Sequence, residues 1–199
     1  RHYRQIFLLQ IDPHWASSED IQYGKFSSKL LKPTGIWGYY WIEDTAVNFF
    51  SNLVKLVIAL AMFFLLNSYI QLPTNLVTIL FFTTSLIIGY FINLTLSLLF
   101  GFLAFYSTNV HGILEFFTQL RIFSSGYLFP LNIARFLGFL QFLPFALTYY
   151  FPMQIWLEKT DTNQNLMIIG AGLAWLITLY FVTTIMYKLG LKRYESVGL

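Results

Sequence analysis

Residues Ser124 to Trp156 read SSGYLFPLNIARFLGFLQFLPFALTYYFPMQIW, an almost wholly apolar run that Pro130, Pro144 and Pro152 cut into pieces. The segments between those prolines hold at most 13 residues, whereas a helix needs about 20 to cross a bilayer. Proline lacks an N–H and disfavours the helical region for the residue before it, so each one ends or begins a helix. Asn132 is placed to N-cap a short helix through Ile133, Phe136, Leu137 and Leu140. A second short helix is expected from Pro144 to Tyr150. Two apolar half-length helices read as a hairpin over 130–152 that enters the membrane and leaves by the same side. Its non-helical tip is tolerated only where protein or a water-filled cavity surrounds it. Such hairpins suit transporters and channels.

Composition agrees with a membrane environment. Of 199 residues 57% are hydrophobic, 20% aromatic and only 11% charged, against about 25% charged in soluble domains. Mean hydropathy is +0.62. The expected fold is therefore all-α, a polytopic helical membrane protein. The formal charge of +3 is small, and the basic residues cluster where topology needs them, which speaks for a lipid bilayer and against nucleic acid. No cysteine is present, which removes disulfides and thiolate chemistry. Arg1 to Gln10 lacks the apolar core and cleavage site of a signal peptide. The chain begins without Met and reads as the remainder of a longer protein.

Outward from the hairpin, four spans are expected. Ser17-Ser18-Glu19-Asp20 looks like a helix start, with Ser17 and Asp20 in capping-box spacing. That helix should run to about Leu31 and stop at Pro33. Along it Lys25, Lys29 and Lys32 share one face, with Phe26 and Leu30 beside them. A basic amphipathic helix over 17–33 lies at a membrane surface or against a partner. The aromatic stretch Thr34 to Asp44 suits the headgroup level and leads into a first span over 46–70, whose Asn48, Asn52 and Lys55 form a polar stripe. Residues 75–107 are read as one long crossing, interrupted by Gly89, Asn93 and Gly101. The third span, 111–128, carries Glu115, Gln119 and Arg121, and the last, 165–187, carries Gly170, Ala171, Gly172 and Ala174, small residues that let another helix approach. A basic tail, 188–199, follows. Lys25, Lys29 and Lys32 mark one end as cytoplasmic, and Lys188, Lys192 and Arg193 mark the other likewise, so the count between them is even.

Ionisable groups inside a span are costly and default to function. For Glu115, Arg121 and Arg135 a structural pairing, with each other or with another helix, stands beside a direct role in moving substrate. Motifs for chemistry are otherwise missing. The single Gly-Lys pair is Gly24-Lys25, and Glu19 stands where a phosphate loop needs its first glycine. His2, His14 and His111 are scattered without metal-ligand spacing. The expectation is no catalytic residue, no metal and no cofactor on this chain; any energy comes from a partner or a gradient.

Three places carry a resemblance. Ile21-Gln22-Tyr23-Gly24-Lys25 followed by Lys29-Leu30-Leu31-Lys32-Pro33 looks like an "I-x-x-G … L-L-x-P" segment. Ser125 to Leu131, with Leu143-Pro144-Phe145-Ala146 and Tyr149 to Pro152, looks like an outer hairpin. Gly190-Leu191-Lys192-Arg193-Tyr194-Glu195-Ser196-Val197-Gly198 looks like a terminal "G-x-x-R-Y-E-x-x-G". In that order the sequence resembles the permease subunits of bacterial type-2 ABC exporters, the family found beside daunorubicin-resistance-like ATPases.

The resemblance implies six spans in the full fold, ABC ATPase subunits that carry ATP and Mg, and a second permease, identical or different. It implies a coupling segment of Gly24, Lys25, Lys29, Leu30, Leu31, Lys32 and Pro33. It also implies an outer gate of Pro130, Arg135, Pro144, Phe145 and Pro152, and a cytoplasmic tail with Gly190, Arg193, Tyr194 and Glu195. The setting would be a bacterial inner membrane, crossed several times, and the cargo amphipathic or lipid-like. The rival reading is an ion- or proton-coupled carrier or channel that uses Glu115, Arg121 and Arg135 as a relay. A membrane-embedded transferase lacks clustered His, Asp or Cys, and a purely structural subunit would tolerate loss of Glu115 or Arg121.

Overall fold

A computed structural model describes residues 13–65, 73, 75–107, 109–132 and 135–197, without the side chains of 50, 51, 135–137 and 195–197. Among these residues every regular element is a helix: α1 (Pro13–Gln22), α2 (Phe26–Leu30), α3 (Gly35–Leu65), α4 (Leu76–Gly101), α5 (His111–Ser124), α6 (Tyr150–Trp156) and α7 (Thr162–Val197). Short 3-10 helices cover Phe102–Phe105, Arg135–Phe142 and Pro144–Thr148.

The chain is built around α4. Asn75 adopts an extended backbone and its side chain accepts from the Val77 N–H at 3.0 Å, which starts the helix. Thr83, Thr84 and Thr95 then return their hydroxyls to the carbonyls of Ile79, Leu80 and Phe91, so these polar groups are satisfied inside an apolar helix. Gly89, Asn93 and Gly101 do not interrupt it. The two glycines are contact points instead. A β-carbon on Gly89 would lie 2.8 Å from the Leu147 carbonyl oxygen, so the 3-10 turn at Pro144–Thr148 leans on the middle of α4. At Gly101 a β-carbon would overlap Ser17 Oγ and lie 3.0 Å from the His14 carbonyl oxygen, so α1 crosses there. From α7, Gly172 meets Ile88 of α4 in the same way. Of the most apolar window of the α4 rod 56% is buried, against 17% for α7. The first is an axle and the second faces outward.

Two helices are long and apolar enough to cross a membrane, Leu76–Phe105 and Thr162–Tyr194. A third is available if Gly35–Phe49 and Asn52–Leu65, bent by 52°, count as one span. Expected span 46–70 thus begins earlier, at Gly35, and its residues 66–70 lie outside the described part. Expected span 111–128 is a helix of 14 residues, 111–124, which rises about 21 Å and falls short of a hydrocarbon core of about 30 Å. It ends because Gly126, at φ +80, turns the chain. The last helix does not stop at 187, for α7 carries the expected tail onward as helix to Val197.

Three local expectations are corrected. The single helix over 17–31 is two, α1 and α2, because Gly24 sits at φ +70 and closes α1 in the left-handed conformation that terminates helices. Ser17 is no N-cap: α1 starts four residues earlier at Pro13, and Ser17 Oγ donates to the Pro13 carbonyl at 2.8 Å. In the proline-cut stretch the expected α-helices are 3-10 helices, with Leu143 N–H on Leu140 O at 3.1 Å and Ala146 N–H on Leu143 O at 3.2 Å. Pro144 opens the second of them and Pro152 sits in the first turn of α6, two positions where a missing N–H costs nothing.

Since backbone rather than a flexible side chain opposes Gly89, Gly89→Ala should destabilise the detergent-solubilised protein by about 1–3 kcal/mol. Gly170→Ala, with nothing within 4 Å of the new carbon, should leave the thermal midpoint unchanged or raise it. Equal midpoints for both variants would remove the Gly89 contact from this account.

Candidate functional site

The short helix α2 is held from three directions. Phe26 is fully buried, its ring 5.2 Å from Phe105 and 5.9 Å from Tyr194. Ser27 Oγ lies 3.1 Å from Tyr194 Oη. Lys29 Nζ donates to Asp20 Oδ2 and, at 3.3 Å, to both oxygens of Glu43. Tyr40 and Tyr39 finish the cluster: Tyr40 Oη donates to Asp20 Oδ2 at 3.1 Å and Tyr39 Oη to Glu43 Oε1 at 3.1 Å. Lys29 Nζ stands 4.5 Å from the centre of the Tyr39 ring.

This corrects the basic face. Lys25, Lys29 and Lys32 do not form one surface, since Lys29 turns inward to Asp20 and Glu43, its side chain only 11% exposed, while Lys25 stays exposed. Burial works against its charge, but the hydrogen bonds to Asp20 and Tyr39 and the fields of Asp20 and Glu43 outweigh it, raising the Lys29 pKa above the ordinary lysine value. The surface left to a partner is different. Tyr23 is 69% and Leu31 86% exposed, and Gly24, Lys25 and Pro33 are exposed around them. Leu30 is at the border at 38%, opposite the buried Phe26. Lys32 lies over the Tyr39 ring at 4.2 Å.

The tail residues come to the same place. Gly190 is buried against the Phe105 ring, Arg193 lies 5.7 Å from the Tyr106 ring centre, and Tyr194 makes the α2 contact. The Glu195 side chain lies outside the described part. The expected coupling segment and the tail, joined through Ser27 and Tyr194, 167 residues apart in the sequence, thus meet at the end of α4.

The expected gate residues divide. Phe145 is buried with its ring 6.2 Å from Phe117, Pro144 and Pro152 are buried, and Pro130 is exposed. The side chain of Arg135 lies outside the described residues. Tyr150 N–H donates to Ser125 O at 3.0 Å and Trp175 Nε1 to Phe142 O at 3.2 Å, which ties the stretch to α5 and α7.

Glu115 and Arg121 go separate ways. Glu115 is exposed and accepts from Gln119 at 3.2 Å, one turn along α5. Arg121 Nη1 donates across to Asn93 Oδ1 of α4 at 3.0 Å, so its partner there is another helix. The sequence reading missed Asp20, Glu43, Tyr40 and Asn93 as partners. Glu43-Asp44 after the aromatic run was the legible signal, since buried or half-buried acid needs a cation nearby. Among the described residues no group of His, Asp or Glu is arranged to hold a metal.

Removing Lys29 leaves Asp20 and Glu43 facing each other, and Lys29→Met should destabilise by about 1–3 kcal/mol, read as a lowered thermal midpoint. The raised Lys29 pKa gives stability that is present below the free-lysine value of 10.5 and is lost as pH rises through the folded-state value. The gap between wild type and variant should therefore stay constant through neutral pH and close on the alkaline side. Lys25→Met, on an exposed side chain, should show no gap.

A family profile described as ABC-2 family transporter protein matches residues 3–198. No curated protein and no solved structure matches the chain.

Proposed function

The chain belongs to the ABC-2 transporter family and is a transmembrane permease; from that premise we propose that it is the membrane subunit of an exporter driven by ATP hydrolysis on a separate cytoplasmic ATPase. The observation that carries the reading is the extent of the family match, which runs through coupling segment, proline-cut stretch and tail alike. ATP and Mg would be bound by the ATPase subunits. The permease would work with a second permease in a bacterial inner membrane, which it crosses several times, and move an amphipathic or lipid-like cargo.

The geometry supports a division of labour. Tyr23, Lys25 and Leu31 form an exposed rim at the end of the bundle, an apolar and basic surface fit to receive the ATPase. Behind the rim, Lys29 and Phe26 anchor α2 to α3, α4 and α7, so movement at the rim is passed inward rather than absorbed. The stretch from Pro130 to Pro152 supports a re-entrant gate, because its second 3-10 helix meets α4 at Gly89, about 20 Å along that helix from Leu76 by the 1.5 Å rise per residue. ATP binding would favour one arrangement of the paired permeases and hydrolysis would reset it.

The test is gentle extraction of the tagged full-length protein from its own membrane, followed by identification of what accompanies it. A stoichiometric ATPase with a phosphate loop is expected, and Leu31→Asp should cut its recovery about tenfold while leaving the permease folded. Lys29→Glu is unsuitable, since it would disrupt the anchor itself. If the chain came alone, and vesicles without ATP showed gradient-driven flux, the exporter reading would be wrong.

A further inference from the structure

Between α3, α4, the end of α5 and the proline-cut stretch lies a cleft of about 640 Å³, lined by Lys55, Tyr90, Asn93, Arg121, Tyr127 and Tyr149 among others. We propose that this cleft binds the anionic headgroup of an amphiphile, with Lys55 and Arg121 as the cationic pair that holds it.

Four observations carry the assignment. The first is charge: two cationic side chains from different helices line one cleft, and its lining residues include no carboxylate. The second is depth. Tyr90 and Asn93 stand at and just beyond the middle of the 30-residue apolar rod Leu76–Phe105, the part that a hydrocarbon core of about 30 Å encloses. Cations at that depth mark binding or transport paths. The third is orientation. Asn93 holds Arg121 Nη1 at 3.0 Å, and the Phe117 ring lies 6.0 Å from its guanidinium carbon. The amide and the ring aim the guanidinium, and a guanidinium presents five donors in a planar fork suited to phosphate or carboxylate. The fourth is the tail's path. Beyond Lys55, α3 presents Leu56, Val57 and Ile58 to the outside, all more than half exposed, so an acyl chain would leave the cleft along an apolar helix. Basic pockets between membrane helices are suited to anionic lipid headgroups.

The proposal rests on the permease reading only in putting the cleft within the bilayer. It names a chemistry, an anionic head on an apolar tail, that either a bilayer phospholipid or a transported cargo could supply. Tyr127, Thr148 and Tyr149 close the wall from the side of the proline-cut stretch, and the two tyrosine hydroxyls add hydrogen bonds that an anionic head can accept.

The experiment uses the purified, delipidated full-length protein. It is titrated with phosphatidylglycerol and, separately, with phosphatidylcholine of the same acyl chains, and bound lipid is counted by native mass spectrometry. Phosphatidylglycerol should bind at least tenfold more tightly. Lys55→Gln should cost several-fold, and Lys55→Gln with Arg121→Gln should abolish the preference. Lys55→Arg with Arg121→Lys, which keeps both charges, should retain it and serves as the folded control. Should the Arg121→Gln protein fail to fold, Lys55→Gln alone decides, its side chain being on the exposed side of α3. Equal binding of the two lipids, or a preference untouched by Lys55→Gln, would overturn the site. Adding the partner ATPase and ATP in vesicles then separates the sources. Labelled phosphatidylglycerol that changes leaflet is cargo, and label that stays bound without moving is resident lipid; both outcomes uphold the site. A preference that holds while no ATPase associates would uphold the cleft and sink the exporter reading.

Discussion

Among the described residues the packing leans on α4, and it can do so because two positions on that helix, Gly89 and Gly101, have no side chain. In a bilayer the lipid tails are as apolar as leucine, so helices associate through close packing and hydrogen bonds rather than through a drive to leave water. Gly89 and Gly101 supply the closeness. The turn at Leu147 rests on the first and α1 rests on the second, each at a separation that a β-carbon would forbid. Gly172 brings α7 onto Ile88 in the same manner from a third direction. Three elements thus meet one rod, the turn and α7 at its middle and α1 at its end. The height of the Gly89 contact decides how deep the proline-cut stretch reaches, and that depth makes its wall part of the Lys55–Arg121 cleft.

Polar groups follow the same economy of partners. At the end of α4 the side chains of Asp20, Lys29 and Glu43 satisfy one another beneath the rings of Tyr39 and Tyr40. Farther along, Tyr90 Oη donates to Asp44 at 2.8 Å, Asn48 donates to the other oxygen of Asp44 at 2.8 Å, and Asn93 receives Arg121. The inward polar residues of α3 are therefore Glu43, Asp44 and Asn48, a ladder that begins before the expected span does, whereas Asn52 and Lys55 are exposed. Its rungs join α3 to α2 at one level and to α4 at the next. Buried charge of this kind contributes less to net stability than to fixing one arrangement among several, because breaking either member leaves the other without its partner.

What the sequence made legible was set by periodicity and proline. The apolar lengths of α4 and α7, the cuts at Pro130, Pro144 and Pro152, and the turn at Pro33 all act within a few residues, and local rules read them. The choice between α and 3-10 in the hairpin was not legible, because both satisfy the same apolar pattern and the tighter turn is selected by the fit of Leu147 against Gly89. Nor was the fate of Lys29. Spacing put it on a face with Lys25, yet the acids that capture it come from other helices, Asp20 from α1 across the turn at Gly24 and Glu43 from α3. Arg121 was flagged by its cost inside an apolar helix, but Asn93, 28 residues away, looked only like an interruption. His14 and Trp15 lay in a stretch with no readable register. In the fold His14 is fully buried, 3.2 Å from Thr118 Oγ1 and 5.5 Å edge-on to the Phe117 ring, so a segment that composition leaves blank forms part of the core.

The wiring of α2 bears on how force could travel. One residue of this helix, Ser27, meets α7 through Tyr194, and another, Lys29, meets α3 through Glu43. Phe26, just before them, is locked among Phe102, Phe105 and Tyr187. A helix of five residues held at three points is too short to bend and too well anchored to slide alone. A push on the exposed Leu31 therefore acts on α3 and α7 together, two helices that lean on α4 in different ways. The α7 contact runs through Gly172 and much of its length, whereas α3 is tied near its start, by Asp44 to Tyr90, and is exposed beyond Asn52. The same displacement should consequently move α3 more than α7. Lys55 lies on that less constrained part of α3 and Arg121 on α5, so relative motion between them would change the spacing of the two cations that face the cleft.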